Sequence, residues 1–381
     1  MGRLFNKMDK ILLFLTIFMF GYGLFMIFDA SSMKSFLESG KEYYYFNKQL
    51  LFLIASFIIT VVIIILPTKR YKKYILPITV VLIMLLVFLL ISGEESNGAK
   101  SWLYIGPFGF QPSEYAKLVI ILFSGFYYKA NARYLKKISS VLFPLGVAAI
   151  ITGLTLLQPD GGTGIILFLI TMFLFYASPA TKDLKMKITL ILLSLVVLVI
   201  VVLPIFGKSI LNSTQADRLN FTKPCSRYQE SSGYQVCNGY IAINNGKLFS
   251  VSPGNSRQKY LYLPEAYTDF IFPIIVEEFG LLSGIGIILI YMIIIYRILY
   301  QAKRTNNIAH GLICYGVACY IFLHVIINLV GVLGLLPLTG VPLPFLSYGG
   351  SFALTLAMSL AIVQRISIET YNDEARRALG H

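Results

Sequence analysis

The stretch ILLFLTIFMFGYGLFMIF, residues 11–28, contains no charged side chain, and YILPITVVLIMLLVFLLI, residues 74–91, repeats this pattern. A run of about 20 apolar residues is long enough to cross the hydrocarbon core of a bilayer as an α-helix. The chain has 381 residues, of which 57% are hydrophobic and only 13% are charged, and its mean hydropathy is +0.74. Soluble domains carry about 25% charged residues. The sequence therefore predicts an all-α polytopic membrane protein.

The apolar runs also predict how the chain is organised. Two soluble domains, the expectation from length alone, are set aside, and the short alternating strands of an outer-membrane barrel are absent. We expect a single integral membrane domain over residues 1–381, with a large extracytoplasmic loop at about 206–270 and a cytoplasmic tail at about 368–381. The loop would join helices 7 and 8 of about ten transmembrane helices, which are predicted at 11–28, 50–66, 75–92, 116–129, 140–157, 163–178, 188–205, 271–296, 309–335 and 351–367.

The net charge of +14 suggests nucleic acid as a partner, but the distribution of the basic residues argues against that interpretation. With the N-terminus inside, 20 of the 32 Lys and Arg residues fall in predicted cytoplasmic segments. This positive-inside pattern predicts a multi-pass protein of the cell membrane with both termini in the cytoplasm. Attraction to anionic lipids is a secondary interpretation. The first apolar run is too long for the core of a cleaved signal peptide, so we expect it to remain as the first helix.

Most of the polar chemistry lies in four predicted outer segments, whereas the inner loops are short and basic. The outer segments are at about 93–115, 158–164, 206–270 and 335–351. Loops held on a rigid scaffold commonly carry function. We therefore expect the working surface of the protein to be extracytoplasmic.

The four cysteines divide into two pairs. Cys225 and Cys237 lie in the large outer loop, beside GYQVCNGYIAINNGKLF, which we expect to pack as short helices. A disulfide between them would close a loop of about 12 residues and contribute a few kcal/mol on the oxidising side of the membrane. Two free thiols are the alternative. Cys314 and Cys319 lie within a predicted membrane helix, where we expect them to act as small packing residues.

Four carboxylates crowd the stretch YLPEAYTDFIFPIIVEEFG, residues 262–280, although it runs into an apolar segment. A charge at the centre of a membrane helix costs at least about 2.5 kcal/mol. If the proline of this stretch opens a helix, Glu265 and Asp269 share one face of its first turns, where acids are favoured by the helix dipole. That explains Glu265 better than Asp269, which lies at the apolar boundary and is a candidate general base. Glu265, with Ser347 of the last outer segment, is also a candidate substrate-binding residue. Glu277 and Glu278 lie deeper and are expected to face cations or polar backbone inside the bundle.

Other outer segments supply candidate substrate-binding residues, each with a simpler structural alternative. QPDGGTG, residues 158–164, either forms only a tight turn or presents Asp160 at the outer rim. FQPSEYAK spaces Glu114 and Lys117 as a salt bridge at i and i+3, or offers Lys117 to a phosphate. Trp102, the one tryptophan, is either an interfacial anchor or a wall over a sugar site.

The last outer segment, GLLPLTGVPLPFLSYGGS at residues 334–351, has three Pro and four Gly residues at membrane depth. Broken backbone is tolerated there only where protein or a water-filled cavity covers it. We therefore expect a re-entrant loop that lines a cavity, which Ser347 and Tyr348 could face. Phosphate-cradling and HExxH motifs and a CxxC pair are absent from the sequence, and the three histidines are scattered. Any divalent cation, such as Mg²⁺ or Mn²⁺, would need carboxylates and phosphates as ligands.

Four motifs in order, GAKSW…QPSEYAKL, QPDGGTG, YLPEAYTDFIF…EEFG and GLLPLTGVPLPFLSYGGS, resemble the SEDS family, whose branches are FtsW, RodA and SpoVE. The resemblance covers nearly the whole chain and leans toward the FtsW branch of Gram-positive bacteria. It implies a ten-helix glycosyltransferase that polymerises lipid II into peptidoglycan strands outside the membrane. It also implies a class B penicillin-binding protein and other division proteins as partners, with the division septum as the site of action.

Individual site residues are carried over by position in these motifs. The resemblance implies that Asp269 is the essential aspartate, and it matches Trp102, Glu114 and Lys117 to positions of the family motifs. The reaction would invert the configuration at C1 of the donor sugar, with Asp269 as general base.

Two positions depart from the common pattern of the family. Ser101 stands where many members have a basic residue before the tryptophan, so Lys100 is expected to supply that charge. Tyr267 stands where many members have histidine. Neither difference removes the aspartate.

Three other functions compete with a septal polymerase. A RodA-like enzyme would act in elongation instead. A flippase or other transporter of lipid II would also use ten helices with buried charges and broken segments, but it needs a polar route to the inside. A scaffold for a penicillin-binding protein would leave Asp269 without a role.

Overall fold

The computed structural model describes residues 2–96, 99–106, 108–205, 222–229, 231–250 and 252–379. Helices dominate these ranges. They are α1 (Gly2–Phe5), α2 (Lys10–Ser39), α3 (Tyr44–Ile65), α4 (Thr68–Ser92), α5 (Pro112–Ala130), α6 (Ile138–Leu157), α7 (Gly161–Ala177), α8 (Lys182–Ile205), α9 (Ser231–Gly246), α10 (Ile271–Phe279), α11 (Leu281–Arg304), α12 (Ile308–Val332) and α13 (Gly350–Ala378).

Every predicted span overlaps a helix, which confirms the all-α polytopic fold. Within the described ranges, seven helices are long and apolar enough to cross a membrane: α2, α3, α4, α6, α11, α12 and α13. The cytoplasmic tail expected at 368–381 is a continuation of α13 as far as Ala378.

The predicted span 271–296 is not one helix. The chain breaks at Gly280, which separates α10 from α11 and has a φ of +80°. A Cβ at this position would lie 2.5 Å from the carbonyl oxygen of Leu248. Glycine alone meets both the left-handed backbone and the close approach at low cost.

The helix expected to open at Pro264 begins later. Residues 261–270 form consecutive turns, and α10 starts at Ile271. Glu265 has a φ of +55°, so it cannot belong to an α-helix. The prediction that Glu265 and Asp269 occupy the first helical turns is therefore wrong, and the helix dipole does not account for their charges.

Helix α5 lies at the centre of the bundle. Almost all of its residues from Pro112 to Phe126 are buried, and it packs against α4, α7, α12 and α13. Helix α13 packs extensively against α3, and α11 packs extensively against α12, which completes the core. Because α5 is surrounded by protein, it can carry polar side chains that a lipid-facing helix would exclude.

The segment between α4 and α5 contains a small antiparallel sheet that sequence analysis described only as a loop. Its strands β1 (Glu94–Ser96), β2 (Ala99–Ile105) and β3 (Phe108–Phe110) are ordered β1-β2-β3. Trp102 lies on the central strand, opposite Glu94. The sheet sits over one end of the bundle, which is called the cavity end below.

The large loop predicted at 206–270 is only partly described. Residues 206–221, 230 and 251 lie outside the described ranges. The expected short helices are a 3₁₀ turn at Pro224–Arg227 and helix α9. A disulfide between Cys225 and Cys237 joins the two.

A buried ion cluster ties the end of this loop to the bundle. Lys259 Nζ lies 2.7 Å from Asp29 Oδ1 on α2 and 2.7 Å from Glu278 Oε1 on α10. We call these three residues the Lys259 cluster. Burial favours the neutral amine, but hydrogen bonds to the two carboxylates outweigh it and raise the pKa of Lys259. Glu277 accepts the Gln258 backbone N–H at 3.3 Å, so one glutamate pairs with polar backbone and the other with a cation, as predicted; the Asn245 and Ser256 side chains also donate to Glu277.

Candidate active site

A polar cavity of about 600 Å³ opens where the four sequence motifs meet at the cavity end of the bundle. Strand β2, the first turns of α5 and α7, the turns before α10 and the segment between α12 and α13 all contribute to its wall. Six of the seven predicted catalytic and substrate-binding residues line it: Trp102, Glu114, Lys117, Asp160, Glu265 and Asp269. Residues separated by more than 160 positions are therefore brought to one site.

Asp269 lies on the wall of this cavity with 9% of its surface exposed. The Thr268 hydroxyl donates toward Asp269 Oδ1 at 3.2 Å, and Asn328 Nδ2 donates to the Asp269 backbone carbonyl at 2.8 Å. A Cβ added to Gly340 would lie 3.8 Å from Asp269 Oδ2. The carboxylate is thus fixed by its backbone and faces the segment between α12 and α13.

Glu265 is a more exposed neighbour of that carboxylate. Its Oε2 lies 2.8 Å from the same Thr268 hydroxyl, so the two carboxylates share this hydroxyl as a hydrogen-bond donor. Lys34 Nζ lies 3.8 Å from Glu265 Oε1, with about a third of each side chain exposed. An exposed pair of this kind contributes little to stability. Glu265 is free to exchange these partners for a ligand at low cost.

Tyr267 does not line the cavity but supports it from behind. It packs against Tyr45 and Tyr348, with ring centroids 4.7 and 5.6 Å away, and its carbonyl accepts the Tyr348 N–H at 2.9 Å. Burial, reinforced by the Tyr45 hydroxyl, raises the pKa of Tyr267. The side chain that replaces the common histidine is therefore a neutral packing group.

Glu114 and Lys117 form the salt bridge that was one of the two interpretations of FQPSEYAK. Lys117 Nζ lies 2.7 Å from Glu114 Oε1, and the two residues are 1% and 4% exposed. Both also line the cavity. They form a buried salt bridge whose two members remain within reach of a ligand.

Asp160 is first a helix cap and second a cavity residue. Its Oδ1 accepts the Thr163 N–H at 3.1 Å at the start of α7, and its Oδ2 accepts Gln111 Nε2 at 3.0 Å. An aspartate in this position stabilises a helix by about 1 kcal/mol. The turn interpretation of QPDGGTG is therefore correct, and Asp160 also lies at the rim.

Of the predicted residues Trp102 and Ser347, the first lines the cavity and the second does not. Trp102 is half-buried and lines the cavity from strand β2, which places an aromatic wall there. Ser347 is 2% exposed, its Oγ accepts the Leu343 N–H at 2.8 Å, and it does not line the cavity. The expectation that Ser347 faces the cavity is therefore corrected. Its hydroxyl completes a turn, whereas Tyr348 lines the wall as expected.

His324 on α12 is the cavity residue that sequence reasoning missed. It is fully buried and lines the cavity, and its Nδ1 lies 3.1 Å from the carbonyl oxygen of Pro342. Asn328, one turn later on the same helix, binds the carbonyls of Asp269 and Val341. Two polar residues at i and i+4 in the apolar second half of this helix were the available signal.

The carboxylates of the cavity do not converge into a metal cage. Within the described ranges, no group of three or more His, Cys, Asp or Glu side chains could hold a metal ion. Glu114 is paired with Lys117, and Asp160 caps a helix. A divalent cation would therefore need oxygens from its ligand in addition to those of the protein.

Fold and site together define a multi-pass membrane protein with a carboxylate-lined cavity at one end of its helix bundle. The sequence model of the cell cycle proteins FtsW, RodA and SpoVE matches residues 10–372. The chain belongs to this family.

The curated relatives of the chain include several FtsW proteins. It is 35% identical to the probable peptidoglycan glycosyltransferase FtsW of Bacillus subtilis, over 74% of this chain and 70% of the relative. The protein of the same name from Hydrogenovibrio crunogenus is 36% identical over 74% and 71%.

Solved structures share the fold. A chain of a peptidoglycan synthase complex matches with a TM-score of 0.75 at 22% identity, covering 96% of this chain and 98% of that one. RodA, the rod shape determining protein of Thermus thermophilus, matches with a TM-score of 0.66, the same identity and the same coverage.

Proposed function

We propose that this protein is a peptidoglycan glycosyltransferase that polymerises lipid II on the outer face of the cell membrane. The observation that carries the proposal is the placement of Asp269 on the wall of a polar cavity, together with Trp102 and the Glu114–Lys117 pair. The relatives named as peptidoglycan glycosyltransferases support the reaction class.

The reaction requires one proton acceptor beside the attacking hydroxyl. The 4-hydroxyl of the acceptor N-acetylglucosamine attacks C1 of the donor sugar, and Asp269 takes its proton. The C1–O bond to the undecaprenyl diphosphate breaks as the new bond forms on the opposite face, so the configuration at C1 inverts. The diphosphate leaves with both electrons of that bond and carries the negative charge away.

The leaving diphosphate needs positive charge nearby, and three sources fit its chemistry. A divalent cation such as Mg²⁺ or Mn²⁺ would supply that charge, and cavity carboxylates such as Glu265 would hold it. A basic residue of the large loop would stabilise the same charge directly. Lys117 already faces Glu114 at 2.7 Å, which makes it the weakest of the basic candidates.

The proposed orientation of the enzyme in the membrane and its partners follow from its chemistry and its charge distribution. The cavity end would face outward and both termini inward, because the basic residues concentrate at the opposite end. Both substrates carry prenyl chains, so a membrane domain spanning residues 1–381 can hold their tails while the sugars meet in the cavity. A class B penicillin-binding protein and other division proteins would be partners, and the FtsW names of the relatives favour the septum over elongation.

The test is polymerisation of purified lipid II by the full-length protein together with its penicillin-binding partner. Asp269→Asn should reduce strand formation by a factor of about 10²–10⁴, as expected for loss of a general base. Glu38→Gln, an exposed acid that does not line the cavity, is the matched control. Chelation of divalent cations in a parallel reaction tests the metal.

Equal polymerisation by wild type and Asp269→Asn would refute the catalytic assignment. If neither protein polymerises lipid II while lipid II crosses vesicle membranes, the transporter interpretation replaces this one.

A further inference from the structure

Three polar side chains line the inner wall of the cavity, and not all of their hydrogen-bonding atoms find partners among the described residues. Glu114 and Lys117 project from α5 and His324 from α12, and each is at least nine-tenths buried. Within the described part of the chain, Glu114 Oε2 and His324 Nε2 find no hydrogen-bond partner. Buried polar atoms are normally paired, and exceptions often mark a ligand site. We call these three residues the inner polar wall.

The hydrogen-bonding character of His324 follows from its one partner. Its Nδ1 lies 3.1 Å from the carbonyl oxygen of Pro342, and a carbonyl can only accept. Nδ1 therefore carries the proton, which leaves Nε2 as an acceptor in the neutral ring. The inner polar wall thus presents an acceptor at His324.

Shared aromatic contacts keep the histidine and the lysine on one side of the cavity. The His324 ring stacks on Phe352 at 4.8 Å and meets Tyr320 edge-on at 4.9 Å. Lys117 Nζ lies 5.8 and 5.9 Å from the centroids of the same two rings. Neither polar group can turn away without disturbing these rings.

The net charge of the inner polar wall is zero. The Lys117 ammonium faces Glu114 Oε1 at 2.7 Å and has two further N–H groups, while Glu114 keeps a second, unpaired oxygen. A diphosphate placed here would meet a carboxylate and the lone pair of His324. A neutral group with both a donor and an acceptor would meet matching partners.

We propose that the inner polar wall is the subsite for the acetamido group of an N-acetylated sugar, and that it does not bind the diphosphate. The acetamido N–H donates to His324 Nε2 or Glu114 Oε2, and its carbonyl accepts from Lys117. This inference rests on the proposed function and deepens it, because it assigns one wall of the cavity to sugar recognition.

The test measures binding without turnover, in an Asp269→Asn background. Three ligands separate the possible sources of the signal: lipid II, undecaprenyl diphosphate without sugar, and a short glycan strand without lipid. His324→Leu should weaken binding of lipid II, of the glycan strand or of both by about three- to tenfold, the effect of one hydrogen bond between neutral groups. Binding of undecaprenyl diphosphate should not change.

Three further variants distinguish the subsite from a purely structural effect. His324→Gln keeps an acceptor oxygen and should restore most of the binding. His310→Gln alters a histidine on the same helix that does not line the cavity, and it should change nothing. Glu114→Gln leaves the Lys117 charge unbalanced, so it should increase the affinity for undecaprenyl diphosphate relative to lipid II.

Each of these measurements has a result that would refute a specific part of the proposal. If His324→Leu weakens all three ligands equally or none of them, or if Glu114→Gln does not shift the ratio, the sugar subsite is refuted. Failure of wild type to bind lipid II would refute both this inference and the proposed function. Full polymerisation by Asp269→Asn alone would refute the general base and leave the subsite standing.

Discussion

The Lys259 cluster allows a quantitative test of what holds the Asp269 turn in place. The Lys259 side chain is 5% exposed, and its partners Asp29 and Glu278 are 15% and 0% exposed. Lys259→Met retains the apolar stem and removes only the ammonium group. Two carboxylates would then lie buried beside each other without a cation.

The expected cost follows from the burial of this ion pair. Removing one partner of a buried pair typically costs about 3–5 kcal/mol, because the remaining charge is left uncompensated. One kcal/mol shifts the melting temperature by roughly 2–4 °C in chains of 150–250 residues and by less in longer chains. We therefore expect the apparent melting temperature of Lys259→Met to fall by about 5 °C.

The assay is thermal unfolding of the purified protein in detergent, at one scan rate for every variant. Lys247→Met removes an exposed lysine from the same loop and should stay within about 0.5 kcal/mol of wild type. Adding Asp29→Asn and Glu278→Gln to Lys259→Met removes the stranded charges and should recover most of the loss. If Lys259→Met melts like Lys247→Met, the cluster does not stabilise the loop.

The pH dependence of this effect has a defined sign. The two carboxylates raise the pKa of Lys259 in the folded protein above its unfolded value of about 10.4. Stability from the pairing is therefore fully present below that unfolded pKa and is lost as pH rises through the folded pKa. Between pH 7.5 and 9.5, both below the unfolded pKa, the contribution of the Lys259 pairing to the stability of the wild type should stay constant, so loss of this pairing should not lower its melting temperature.

Two other contacts give simpler predictions. A Cβ on Gly23 would lie 2.0 Å from the carbonyl oxygen of Phe345, so Gly23→Ala should destabilise the protein by about 1–3 kcal/mol and lower its melting temperature, whereas Gly21→Ala, with open space around its Cα, should not. Reduction of the Cys225–Cys237 disulfide, or Cys237→Ser, should make the large loop more sensitive to limited proteolysis without unfolding the bundle; an unchanged cleavage rate would show that the bond contributes no local stability.

The helices could be predicted because the solvent of this protein is the membrane. A long uncharged run such as 74–91 has few alternatives to a helix in hydrocarbon, where every backbone polar group must be paired within the segment. The seven spans recovered by length and composition reflect that constraint. The break at Gly280 was missed, because apolarity continues through it and the contact with Leu248 is a tertiary one.

The membrane environment also made some residues of the site predictable from the sequence and left others unpredictable. Asp269, Glu114 and Lys117 stood out since charge in an apolar stretch is costly and rare. Ser347 was misjudged because a serine hydroxyl is equally suited to a ligand or to a backbone N–H, and Leu343 supplies the latter. His324 was overlooked because its role depends on Pro342, Tyr320 and Phe352, which converge only in three dimensions.

The two hydrogen bonds of the Asn328 amide have a mechanical consequence. One N–H donates to the backbone carbonyl of Asp269. The other donates to the carbonyl of Val341, in the Pro- and Gly-rich segment between α12 and α13. A single side chain therefore attaches two non-helical segments of backbone to helix α12, and we call this pair of hydrogen bonds the clamp. If that segment swings outward to admit a bulky lipid-linked sugar, either the clamp releases or the acid travels with it. In the second case, entry of substrate and positioning of the acid would be a single coordinated movement.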